Sequence, residues 1–171
     1  QFFVSFFVLF APCAMATEAV FQSRYIWLSE TEGFGGFSSL EITADGRNFI
    51  STSDRGAIVT GELLREDGQI MGVENAKLRP LLDSGSRPLD RYFVDAEGLA
   101  IDAMGRLFIS FEADHRVWRY DVIDGPPVKL KTHPGFKELQ NNSGLEALAI
   151  DTDGTLYTLP ERSGEWERPF P

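Results

Sequence analysis

EGLAIDAMGRLFISFE (residues 97–112) and EALAIDTDGTLYTLPE (residues 146–161) are the same sentence written twice. Eight of the sixteen positions are identical, and a glutamate stands at each end of both copies. A weaker third copy, SSLEITADGRNFISTSD, occupies residues 38–54. Aligned on Gly46, Gly105 and Gly154, the copies recur at intervals of 59 and then 49 residues. Such a period marks stacked or radially arranged units, each of which needs its neighbours to bury its apolar face.

Each copy is two short runs of β-branched, aliphatic and aromatic residues joined at a glycine, preceded by aspartate at Asp45-Gly46 and Asp153-Gly154. Asp-Gly between such runs is a hairpin signal. Further strand-like runs follow the hairpins: AIVTGELL with QIMGVENAKL, and RVWRYDV with PVKLKTH. Four short strands per unit at this period predict an all-β β-propeller fragment, about three four-stranded blades of a larger propeller. The alternative is a β-sandwich or an open meander.

A hairpin brings its two ends together. Glu97 with Glu112, and Glu146 with Glu161, are therefore expected at the open mouths of successive hairpins. In the copy at residues 38–54, Ser38 replaces one acid and Asp54 supplies the other. Carboxylates this crowded repel unless a cation neutralises them. Hard oxygen donors without cysteine or clustered histidine favour Ca²⁺ over zinc. Asp54, Glu97, Glu112, Glu146 and Glu161 are the candidate metal ligands. The competing reading is architectural: Glu97 and Glu146 accept backbone N–H groups and fix one unit against the next.

Cations accompany the acids. Arg55 follows Asp54, Arg116 lies four residues after Glu112, and Arg162 follows Glu161. The planar guanidinium fork suits phosphate and carboxylate recognition, which makes these three the candidate substrate-binding residues. Any single acid–Arg pair also reads as a surface salt bridge of little energetic weight. His115 is the candidate general acid or base.

The opening QFFVSFFVLF is almost uninterrupted apolar sequence, and Ala14-Met15-Ala16 gives a small-x-small cleavage pattern. Residues 1–16 read as a secretory signal peptide whose record is truncated at its front, with residues 17–171 the exported domain, incomplete at its C-terminus. The run is shorter than the roughly twenty residues a membrane helix needs, so no stable insertion is expected after cleavage. Periplasmic or secreted localisation follows. Cys13 lies within that segment, and the exported part has no thiol chemistry. A lipoprotein role for Cys13 is disfavoured, because Phe10-Ala11-Pro12 matches a lipobox poorly. With 26 acidic against 16 basic residues the formal charge is −10, the opposite of a nucleic-acid binder. A P-loop, a GxSxG elbow and a strand-linked GxGxxG are all absent. A small anionic or ester substrate, met through a cation, remains the expected partner.

At GGFSSLEITADG (35–46), SDRG (53–56), DAEGLAIDAMGRLFISFE (95–112), HRVWRYD (115–121) and NNSGLEALAIDTDG (141–154) the chain resembles the phytase-like family of exported bacterial proteins, described by esterase-like activity. The resemblance implies a β-propeller about twice this length. More distantly, it implies Ca²⁺ bridging an acidic channel to a phosphate ester, hence a phosphoesterase or esterase. Calcium-dependent lactonase propellers also place a Glu-Gly at the start of an inner strand, which Glu97-Gly98 fits. A third reading is a non-enzymatic propeller that binds a ligand or partner with its rim. The fold is common to all three.

Overall fold

The computed structural model describes residues 19–162. The expected signal peptide, Cys13 included, lies outside them. No α-helix occurs among the described residues; the one helical turn is a 3₁₀ segment at Pro134–Glu138. Among the described residues no helix is long and apolar enough to cross a membrane.

Two four-stranded antiparallel meanders carry the chain. The first contains β1 (Glu41–Ile42), β2 (Asn48–Ser53), β3 (Ala57–Glu66) and β4 (Gln69–Pro80) in sequence order. The second contains β5 (Ala96–Ile101), β6 (Leu107–Phe111), β7 (Arg116–Tyr120) and β8 (Val128–Lys129), again in order. β9 (Leu145–Ile150) and β10 (Leu156–Pro160) form a third hairpin. The third unit, expected as four strands, therefore shows its first two among the described residues.

The first strands of the units lie side by side. β5 packs against β1 and β2 on one side and β9 on the other, and β6 also reaches β9. Consecutive meanders stacked face to face with their first strands innermost are the blades of a β-propeller. Between blades one and two sits a buried cluster of Ile58, Leu81, Leu99, Leu107, Ile109, Phe111, Trp118 and Tyr120. All five residues of β6 are buried, because blades one and three cover its two faces. LFISF is accordingly a continuous run with one polar residue, Ser110, rather than an alternating strand. That serine accepts a hydrogen bond from the Gly98 N–H (2.9 Å) and donates to the Leu145 carbonyl (2.7 Å), tying blade two to blade three.

The inner hairpins turn more widely than Asp-Gly suggests. Ile101 pairs with Leu107 and Ile150 with Leu156, leaving five-residue connections. Gly46, Gly105 and Gly154 occupy the left-handed region in all three, at φ 71°, 76° and 85°. Asp102 and Asp151 cap their loops, each accepting two backbone N–H bonds: Met104 and Arg106 in one, Asp153 and Thr155 in the other. The two-residue Asp-Gly turn is elsewhere, at Asp67 (φ 49°) and Gly68 (φ 81°) between β3 and β4. Two positive φ angles at the centre of a two-residue hairpin suit the twist of its flanking strands.

Candidate functional site

The acids gather at the hairpin mouths. The Glu112 N–H donates to the Asp95 carbonyl (2.9 Å), and the Glu161 N–H to the Gly144 carbonyl (2.9 Å). In the first unit the Asp54 N–H closes onto Gly36 (2.9 Å). Asp54, Glu112 and Glu161 are thus structural equivalents.

Glu97 and Glu146 lie inside their strands, as the second residues of β5 and β9. The β5–β6 register slips between Ala96 and Leu99, so that two residues, Glu97 and Gly98, face one, Ser110. In the next hairpin Leu145 and Ala147 pair with the adjacent residues Pro160 and Leu159, leaving Glu146 as the extra residue. Both glutamates therefore sit on β-bulges, which bend a strand and re-aim a side chain. The first unit keeps the slip between Phe37↔Ser53 and Glu41↔Ile50, but Ser38 and Ser39 stand there. Ser39 spends its side chain on Thr52, accepting from the Thr52 N–H at 3.0 Å.

Carboxylate oxygens of Asp95, Glu97 and Glu112 all lie within 4.8 Å of one another. Asp95 was absent from the sequence-derived ligand set. Its signal was available in the spacing, since residues i and i+2 of an extended segment share a face. Burial, reinforced by the charges of Glu146, Asp95 and Glu112, pushes the Glu97 carboxyl up to about 8. Burial also lifts Glu146 to about 7, with a hydrogen bond to Glu112 and the charges of Glu112, Glu161 and Asp95 adding to it. Asp95 is raised by burial and by the negative charge of Glu112 and Asp54, against a hydrogen bond from Glu97 that lowers it. The mouth of blade two thus retains a proton near neutrality, because burial and the neighbouring carboxylates penalise the charged form of Glu97.

The remaining candidates divide. Arg55 and Arg162 are exposed, their side chains 58% and 63% accessible, and they lie 4.0 and 3.5 Å from Asp54 and Glu161. Arg55 also donates to the Phe34 carbonyl (2.8 Å). Arg116 is different: it is buried, with its guanidinium 4.0 Å from the Phe111 ring centroid and 4.4 Å from that of Trp118. It faces the protein rather than the rim. The His115 Nε2 lies 3.0 Å from the Gln140 carbonyl, and the ring packs on the α-carbon of Gly144, where an added Cβ would meet it at 2.2 Å. His115 fastens the 139–144 strap.

Glu112 combines two duties. Its side chain is buried, and Oε1 accepts the Gly144 N–H at 2.6 Å, a charge-assisted bond from blade two to the strap entering β9. The architectural role expected of Glu97 and Glu146, accepting a backbone N–H between units, is filled by Glu112, one member of the acidic trio. Gly36 has φ +64°, and a Cβ there would fall 1.8 Å from the Asp54 carboxylate. Only glycine admits Asp54 to the mouth.

Two oxygens on opposite sides of one Ca²⁺ are separated by about 4.8 Å, twice a typical Ca–O distance of about 2.4 Å. The Asp95–Glu97–Glu112 trio meets that limit, and its hard, anionic donors fit such an ion. Another cleft, of about 450 Å³, lies among Tyr25, Trp27, Phe37, Phe49, Leu63 and Val73. It is lined by neither carboxylate nor arginine.

These features define an all-β propeller scaffold with an acidic mouth built by repetition. Residues 32–169 match the family described as "Phytase-like: Esterase-like activity of phytase", and the chain belongs to that family. Among solved structures it is similar to the Cps50 (Swd1) beta-propeller domain of Myceliophteria thermophila, at 14% identity and a TM-score of 0.47. That similarity covers 75% of this chain and 36% of the other, so the chain spans about a third of that domain's length. No curated protein matches the sequence.

Proposed function

We propose that this phytase-like propeller is an exported, Ca²⁺-dependent hydrolase of phosphate or carboxylic esters, working at the mouth of blade two. The observation that carries this reading is the trio of Asp95, Glu97 and Glu112, with every pair within 4.8 Å. Asp95, Glu97 and Glu112 would hold the ion, and Glu146 would support it from the next blade. A Ca²⁺ held there supplies Lewis acidity toward a phosphoryl or acyl oxygen and acidifies a coordinated water. The protein's own part is positional. The two bulges aim Glu97 and Glu146 inward, Gly144 holds Glu112, and Gly36 makes room for Asp54. Arg55 and Arg162, exposed beside the acids, orient an anionic group by paired N–H donation. Export rests on the apolar opening segment and its small-x-small pattern.

The test is turnover by the intact protein on phytate, aryl esters and lactones, each with Ca²⁺ and with chelator. Chelator-sensitive release of phosphate or of the aryl alcohol supports the proposal. Lactone opening alone would move the assignment to the lactonase reading. Absence of both turnover and bound metal would leave a binding rim instead of an active site.

A further inference from the structure

The sequence nominated Arg116 as a substrate anchor, yet the fold buries it. Its side chain is 5% accessible, and Phe93, Phe111 and Trp118 lie around its guanidinium, with ring centroids 5.8, 4.0 and 4.4 Å away. A desolvated guanidinium needs its donors satisfied. Nη2 donates to the Phe93 carbonyl at 2.6 Å and Nη1 to the Asp114 carbonyl at 2.8 Å. Nε has no partner. The nearest acid, Asp114, is largely exposed and 3.9 Å away, so the two carbonyls are the main anchors.

Those carbonyls are informative by position. Phe93 lies two residues before Asp95, and Asp114 two residues after Glu112. One rigid fork therefore grips both chain segments that deliver two of the three clustered carboxylates. The same segments are joined directly by the single Glu112 N–H bond to the Asp95 carbonyl. Like charges placed this close tend to push the segments apart. A fixed cation behind the mouth, stacked on aromatic faces, opposes that spreading.

We propose that Arg116 is a positioning residue that clamps the 93–95 and 112–114 segments, setting the separation of Asp95 and Glu112 and thereby the affinity of the mouth for a divalent cation. The cation part rests on the metal reading above; the clamp does not. Lysine keeps the charge but cannot reach two carbonyls with one planar fork. Methionine keeps much of the stem packing and neither donor.

The experiment uses Arg116→Lys and Arg116→Met in the intact protein, with Tyr120→Phe as the control. Tyr120 is buried in the same blade and donates to the Leu82 carbonyl (2.9 Å), not to the 93–95 or 112–114 segments. Hydrogen exchange of the Glu112 amide is compared with that of Ile109, and Ca²⁺ affinity is measured by calorimetry. In both Arg116 variants the Glu112 amide is expected to exchange about tenfold faster relative to Ile109, and Ca²⁺ to bind about tenfold more weakly, each about one hydrogen bond's worth. Tyr120→Phe should do neither. Arg116→Lys is decisive should Arg116→Met fail to fold. Unchanged Glu112 exchange in folded Arg116→Lys, or an equal effect from Tyr120→Phe, overturns the clamp. Faster Glu112 exchange in a protein that binds no Ca²⁺ upholds the clamp and removes the metal reading.

Discussion

Replacing Glu97 with Gln is expected to move stability and cation affinity in opposite directions. In the folded, cation-free protein the Glu97 carboxyl titrates near 8, against an ordinary value of 4.5. The folded state therefore binds more protons than the unfolded chain between those limits, and stability falls as pH rises through them. The full distance would be worth about 5 kcal/mol. Solvent at the half-open mouth screens most of it, leaving about 1–2 kcal/mol. For a protein of this size that is roughly 3–6 °C of melting temperature. In chelator, wild type should lose this between pH 5 and pH 8.5, while Glu97→Gln should stay flat to within the smaller contribution of Glu146. At pH 8.5 the variant should melt higher than wild type. Its Ca²⁺ affinity should fall by about 2 kcal/mol, the weight of one charge-assisted contact, or about 30-fold. Thermal melts across pH and calorimetric titration read both quantities. A pH-independent wild-type melting temperature in chelator would refute the electrostatic reasoning, and unchanged Ca²⁺ affinity in Glu97→Gln would remove Glu97 from the ion.

Glu112→Ala leaves the Gly144 N–H without its 2.6 Å acceptor and should cost about 2–3 kcal/mol in denaturant titration in chelator, where no bound ion contributes. Gly98→Ala places a Cβ 2.6 Å from Ser110 Oγ and 2.9 Å from the Leu148 backbone nitrogen, and should destabilise the blade-two to blade-three contact by about 1–3 kcal/mol in the same assay. Arg55→Gln with Arg162→Gln should raise KM for an anionic ester several-fold, about 1 kcal/mol for exposed cations, with Ca²⁺ affinity unchanged by calorimetry. Gly36→Ala should displace Asp54, and comparison of its crystal structure with wild type would show whether that carboxylate still faces the mouth.

The propeller was legible because its information is periodic. The doubled sentence fixes two hairpins, and AIVTGELL and RVWRYDV fall on β3 and β7. The gathering of Glu97 and Glu112 followed from hairpin closure alone. The bulges did not, because a register slip depends on how Gly98 and Ser110 meet across strands, and no local pattern encodes that contact. Asp95 was missed because it lies two residues outside the repeated window, although its i, i+2 relation to Glu97 was visible. Arg116 misled for a physical reason. A charged residue directly after a turn reads as surface, and its burial depends on Phe93, Phe111 and Trp118 converging from three separate segments.

The repeated bulge also decouples the blades' inner edges from their outer ones. The outer strands of blade one run to 10 and 12 residues, whereas those of blade two have 5 and 2. Yet Asp54 and Glu112 close onto equivalent carbonyls in both. Each mouth is set by its own slipped pair and closing hydrogen bond, so strand length at the periphery is free to vary. Insertions or tags placed in the Asp67-Gly68 turn would thus sit on a part of the blade whose length the mouth does not register.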